Sequence, residues 1–173
     1  MLVLRYLYVL ALSTWLGGMV VLGAIVAPAV FQVLPEHDPQ GGRAIAGAVF
    51  GAVLARFHYL AYAAGALLVV TLIAMALLGP RPRSFAIRAA IAAAMLGVAL
   101  YSGFIVLGEI DGIQREIAER STSAAAVLPS QLPADDHRRL RFDFLHQLST
   151  RLMIANIVGA LVLLGWEARE PGR

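Results

Sequence analysis

The chain contains no cysteine, and all 14 of its Lys-or-Arg positions are arginine. The first absence rules out disulfides, thiolate metal sites and cysteine nucleophiles. The second rules out a lysine Schiff base or a lysine general base. Charge itself is scarce, at 14% of 173 residues against 60% hydrophobic, whereas a soluble domain carries about 25% charged residues. Such a chain is too apolar to be solvated and points to one membrane domain over residues 1–173. The net charge of +3 is small, and no basic stripe is interleaved with aromatics. The arginines therefore read as anchors at a bilayer surface, which makes the lipid bilayer a partner and nucleic acid none.

The apolar residues fall into blocks long enough to cross a bilayer, for which a helix needs about 20 residues. The first block covers residues 4–27 with Ser13, Thr14, Trp15, Gly17 and Gly18 in its middle. It offers no convincing cleavage point and reads as a retained helix, not a signal peptide. Pro28 lacks the amide that continues a helical ladder, so the helix should bend or end there. Asp38 and Pro39 form a helix start. From there a tilted or surface helix is expected over 39–55, with a small-residue ridge at Ala44, Gly47, Ala48, Gly51 and Ala52, before a crossing over 56–78. Gly79 to Ser84 reads as a tight turn. A third crossing is expected over 85–107, with a solvated extension to 120 that bears Glu109, Asp111, Arg115, Glu116, Glu119 and Arg120. Residues 121–132 have no period and should be mobile. Asp135 and Asp136 restart a helix over 134–143, and a fourth crossing over 144–166 runs into Glu167, Ala168 and Arg169. The expected fold is all-α, an integral membrane four-helix bundle with antiparallel up-down topology.

Arginine density sets the orientation. Arg81, Arg83 and nearby Arg88 stand without an acid, while the arginines of the third loop are scattered among seven acids from Glu109 to Asp143. This places both termini and the second loop in the cytoplasm, across a plasma (inner) membrane.

The polar chemistry collects where helix one ends, two begins, three ends and four begins. On helix four His146, Ser149, Met153 and Asn156 recur at i, i+3, i+7 and i+10, a stripe expected to face other helices because an unpartnered polar group in hydrocarbon costs several kcal/mol. On helix two His58 is followed by Tyr62 and Gly65 at i+4 and i+7. Arg56, Asp143 and Arg151 complete the layer, with Asp143 or Glu109 expected to pair with Arg151. Two imidazoles on facing helices are the donor type for haem b, with Gly65 making room for the macrocycle. They also suit a single metal ion held by His58, His146, Glu109 and Asp111. The other readings are histidines that hydrogen-bond to neighbouring side chains and fix helix register, or a proton or ion pathway. Glycine pairs at Gly47/Gly51 and Gly108/Gly112 permit close helix contact within the chain, in a homo-oligomer or in a larger membrane complex.

Trp15-Leu16-Gly17-Gly18, Ala27-Pro28 with Phe31, Ala46-Gly47, Phe50, Arg56-Phe57-His58, and Phe144-Leu145-His146 with Ser149 and Asn156 occur in an order and spacing that resembles the transmembrane protein 205-like family. That family's domain has no assigned function, and the resemblance implies a four-helix integral membrane protein without supplying a mechanism. The Trp-x-Gly-Gly element and the histidines are fainter echoes of copper-resistance D proteins and of HemJ-type protoporphyrinogen oxidases, which bind copper or haem. The chain departs from the second in having no lysine and from the first in dispersing its methionines. The function these observations suggest is a small, non-enzymatic membrane protein with a transport-related, accessory or subunit role. The competing one is a b-type haem or metal-binding redox protein built on His58 and His146.

Overall fold

A backbone amide or carbonyl left unpaired in hydrocarbon costs several kcal/mol, so apolar segments of this length are forced into helices that satisfy their own ladders. The computed structural model describes residues 2–79, 84–120 and 127–169, and these contain no strand. Four helices are long and apolar enough to cross a membrane: α1 (Leu2–His37), α2 (Gly42–Leu78), α3 (Phe85–Arg120) and α4 (His137–Arg169). The chain is an all-α protein of the membrane-bundle type. Helices of 33 to 37 residues are about 50–55 Å long at 1.5 Å per residue, well over the ~30 Å of a hydrocarbon core. Most of the turn expected at Gly79 to Ser84, and residues 121–126 of the stretch expected to be mobile, lie outside the described residues.

Local features fill in the expected outline. At Pro28, α1 does not end. The ladder widens for one turn over Leu22–Val26, where the amide of Ala27 donates to the carbonyl of Leu22, five residues back, and the helix continues to His37. A wide turn ahead of a proline accommodates the missing donor and the ring. A second wide turn, Ser102–Val106, interrupts α3. Residues 42–78 form one uninterrupted helix. Part of the third loop is folded: Pro129–Gln131 makes a short 3-10 turn with Pro129 buried, and Gln131 Oε1 accepts from the amide of Leu128 at 2.8 Å.

The turn between α1 and α2 is built on Asp38, whose Oδ1 accepts from the amides of Gln40 and Gly41 at 3.1 and 3.0 Å. At the start of α4, Asp136 Oδ1 accepts from the amide of Arg138 at 2.8 Å, a cap for an otherwise orphaned donor. The Arg138 guanidinium also binds this carboxylate and, with the backbone bond, holds Asp136 down at about pKa 2.

The fold divides into two compact units, and each helix contributes a stretch to both. Unit 1 comprises Met1–Val20, Phe57–Leu100 and Leu152–Arg173; unit 2 comprises Val21–Arg56 and Tyr101–Arg151. The core of unit 1 is assembled from residues spaced three and four apart. They are Tyr8, Leu12, Trp15 and Met19 on α1, Ala61, Ala64, Leu68 and Leu72 on α2, Ala92, Met95 and Ala99 on α3, and Ala160 and Leu163 on α4. Gly18 lies against Phe57, and Gly65 against the Trp15 ring and Leu96. In unit 2, Phe31 and Phe50 meet edge to face at 5.8 Å, and the start of α2 passes so close to α1 that a Cβ on Gly42 would lie 2.2 Å from the Leu34 carbonyl oxygen.

A backbone oxygen cannot swing aside as a side chain can. Gly42→Ala should therefore destabilise the protein by about 1–3 kcal/mol, whereas Gly47→Ala, where a Cβ meets nothing within 4 Å, should be close to neutral. Thermal unfolding of the two variants in detergent checks the difference. The Asp136 cap carries its own signature. Because the folded-state pKa is depressed, its contribution is complete above the ordinary carboxylate value of 3.8 and is lost as pH falls through about 2. An NMR titration of the Asp136 carboxyl should place its midpoint near the lower value.

Candidate functional site

The helix-four stripe does not face inward as a whole. Asn156 is buried and Ser149 and Met153 are half-buried, but His146 is exposed, and the inward position on its turn belongs to Leu145. The helical period explains the difference. At about 100° per residue, ten residues separate His146 from Asn156 by roughly 80° around the axis, whereas eleven bring Leu145 to within roughly 20° and seven do the same for Ser149. The His146 ring stacks on Phe142, with centroids 6.2 Å apart and planes 7° apart.

His58 belongs to unit 1 and His146 to unit 2. His58 is half-buried and meets Tyr62 edge to face at 5.9 Å, and Tyr62 in turn meets the exposed Tyr59 at 6.3 Å. The space beside Gly65 that a macrocycle was expected to use holds Trp15, whose ring carbons lie 3.0–3.1 Å from where a Cβ would stand. Among the described residues no three His, Asp or Glu side chains come together in a way that could hold a metal ion. Glu109 is engaged by Arg141, which donates from Nη2 at 2.6 Å and from Nε at 3.1 Å. Arg141 also lies over the Phe144 ring. Asp111 is half-buried, and Asp143 and Arg151 are exposed. Arg56 is exposed and donates to the carbonyl of Ala52 on its own helix at 3.2 Å.

The most deeply buried ion pairs lie elsewhere, among Arg88, which bears on orientation in the sequence, Glu167, which follows the fourth apolar run, and Arg5. In unit 1 the Glu167 carboxylate accepts from Arg5 Nε through Oε1 and from Arg88 Nη1 at 3.4 Å through Oε2. Three helices are tied together by one acid. Arg5 also reaches the Glu167 carbonyl at 3.4 Å. Arg88 is 1% exposed and Glu167 9%. Both are buried because both occupy inward positions: Arg88 is in step with Ala92, Met95 and Ala99 on α3, and Glu167 with Ala160 and Leu163 on α4. Tyr8, one turn after Arg5, and Thr71 are the buried hydroxyl residues of the same unit, and Thr71 Oγ1 donates to the carbonyls of Leu67 and Leu68 at 2.7 and 3.0 Å. The signal that would have revealed the cluster is the lone arginine inside the apolar run of α3, seen in register with its neighbours.

The two ion-pair systems should differ sharply in worth. Removing the carboxylate from a buried pair leaves uncompensated charge and costs about 3–5 kcal/mol, while an exposed pair is worth about 0.2–1 kcal/mol. Arg141 and Glu109 are 44% and 41% exposed, against 2% and 10% for Arg88 and Glu167. Glu167→Ala should therefore lower the unfolding midpoint in detergent severely and Glu109→Ala only slightly. Equal effects would show that burial is not what makes the cluster strong.

No curated protein and no solved structure matches the chain. A family model does: the one described as a domain of unknown function, DUF4149, matches residues 10–119. That segment takes in α1 from Leu10 onward, all of α2 and nearly all of α3, with Arg88, His58 and both glycine pairs inside it. With well over half its length matched, the chain belongs to the DUF4149 family of proteins containing this domain of unknown function.

Proposed function

We propose that the protein is a non-enzymatic integral membrane protein that acts as an accessory or subunit of a membrane assembly, transport-related in class. Its four helices would run up and down as one antiparallel membrane domain, with both termini and the arginine-rich second loop on the cytoplasmic side of a plasma (inner) membrane. The observation that carries this reading is how little of the apolar surface the chain covers for itself. Only 17–33% of the most apolar window of each helix is buried, and the remainder needs lipid or another protein.

The glycines narrow the choice toward a partner. Gly18, Gly65 and Gly159 are filled by side chains of the same chain, but around Gly47, Gly51, Gly108 and Gly112 nothing stands within 4 Å of a Cβ position. Small residues let helix backbones approach closely inside lipid, where van der Waals contact and not the hydrophobic effect drives association. The motif order that resembles the transmembrane protein 205-like family reaches past residue 119 to Asn156 and supports the same class of small membrane protein.

The absence of native cysteine makes the test direct. A single cysteine at Gly51 or Gly108, treated with a thiol cross-linker in native membranes, should yield a cross-linked species of discrete mass. A cysteine at the buried Ala92 or Ala160 should yield none. A protein that stays monomeric at all four positions sinks the subunit reading. The haem or metal alternative on His58 and His146 predicts a coloured or metal-bearing preparation, checked by a visible spectrum with and without dithionite and by metal analysis. A split Soret and α band lost in His146→Ala would replace the subunit reading with the redox one.

A further inference from the structure

The run of α4 that is free of Asp, Glu, Lys and Arg is the shortest of the four. Between Arg151 and Glu167 it covers residues 152–166, which is 15 residues, whereas the run between Arg88 and Glu109 on α3 has 20 and those after Arg5 and Arg56 are longer still. At 1.5 Å per residue it spans about 22 Å against a hydrocarbon core of ~30 Å. Centred in a bilayer, it leaves Arg151 and Glu167 each about 4 Å inside an edge. The two ends meet this differently, because a helical side chain leans toward the N-terminus of its own helix. Glu167, at the C-terminal end of the run, leans back over the hydrocarbon, and the chain meets it there with Arg5 and Arg88. Arg151, at the N-terminal end, leans out toward the headgroups. It is exposed, and among the described residues it makes no hydrogen bond or ion pair. Glu109 is taken by Arg141, and Asp143 stands eight residues earlier on the same helix, about 12 Å along the axis.

We infer that Arg151 binds the headgroup phosphate of a phospholipid, with Gln147 as a second donor. Gln147 lies one turn nearer the headgroups and about 40° around the axis, and it too is exposed and makes no hydrogen bond among the described residues. The forked guanidinium suits phosphate oxygens, and its long stem can carry the charge to the edge of the hydrocarbon. Past Arg151 the same face of α4 continues with Val158 and Val162, exposed by 54% and 42% and within about 20° of it, a strip along which an acyl chain can lie. Phosphate is favoured over a carboxylate on a partner helix because the lean of the side chain takes the guanidinium out of the hydrocarbon, to the level at which phospholipids carry their phosphates. Only the membrane reading of the helices is needed here, not the subunit role, so a failed cross-linking experiment leaves the lipid site standing.

The test uses the full chain purified in mild detergent, with added phosphatidylglycerol, diacylglycerol bearing the same acyl chains, or inorganic phosphate, followed by native mass spectrometry and thermal unfolding. Phosphatidylglycerol should be retained on the protein and should raise the midpoint, and diacylglycerol, which lacks the phosphate, should do neither. Arg151→Gln should weaken phosphatidylglycerol retention about fivefold, the loss expected for one arginine at an anionic surface. Arg151→Lys, which keeps the charge, should retain most of the binding. Because Arg151 is exposed, the lipid-free midpoint of Arg151→Gln should stay close to that of the unmodified chain, which separates a lost site from a lost fold. Arg115→Gln, at an exposed arginine of α3, should change neither retention nor midpoint. Equal retention of phosphatidylglycerol and diacylglycerol, or retention undiminished in Arg151→Gln, overturns the lipid site. Stabilisation by inorganic phosphate equal to that by phosphatidylglycerol also overturns it, since a free anion would then suffice. Loss of the Gly51 or Gly108 cross-link in Arg151→Gln, with lipid retention unchanged, would assign the arginine to a partner's carboxylate instead.

Discussion

Glu167 is one carboxylate serving two guanidiniums from two other helices, and the order of unit 1 depends on it. Apolar packing in lipid is undirected, because acyl chains are as greasy as leucine and a helix gains little by choosing a neighbour over the bilayer. A buried charge supplies the missing direction. Arg88 at 1% exposure is tolerable only where an acid reaches it, which fixes both the rotation of α3 about its own axis and the height of α4 beside it. The small residues in step with these charges, Ala92 and Ala160, are fully buried and bring the backbones close enough for the bond to form. Charge and close packing here are one device.

Much of this architecture was legible in the sequence, for a physical reason. Backbone satisfaction in hydrocarbon leaves an apolar run of about 20 residues no option but a helix, so the number of helices and the all-α class follow from hydropathy. Small residues in mid-span suit close packing: Gly18 lies against Phe57 and Trp15 against Gly65, while a Cβ on Gly17 would meet nothing within 4 Å. Helix ends were less readable. Pro28 bars one hydrogen bond, and the chain answers by widening a turn and not by stopping. Nothing in local composition distinguishes those two responses.

The polar residues show where such reading stops. A stripe at i, i+3, i+7 and i+10 looks like one face, but drift of the helical period turns its first member, His146, away from the buried side that Asn156 occupies. Arg88 and Glu167 stand near helix ends, where charged residues mark the edge of a membrane, and position along the chain cannot separate a residue at the edge from one turned into the core. Register can. Seven-residue spacing to residues that must be inside, such as Met95 for Arg88, says which way the side chain points.

The two wide turns bear on what the helices present beyond unit 1. Leu22–Val26 and Ser102–Val106 each begin within two residues of the place where α1 and α3 pass from one unit to the other. A turn that holds one extra residue rotates every later side chain by about 100° relative to an uninterrupted helix. The proline accounts for the first; the second contains Gly103 and no proline. Both changes of face fall on helices whose earlier turns are occupied by the packing of unit 1. In unit 2 a Cβ on Gly108 or Gly112 would meet nothing within 4 Å, and Ile25, Phe31 and Phe104 are exposed. A wide turn makes such a change of face without ending either helix.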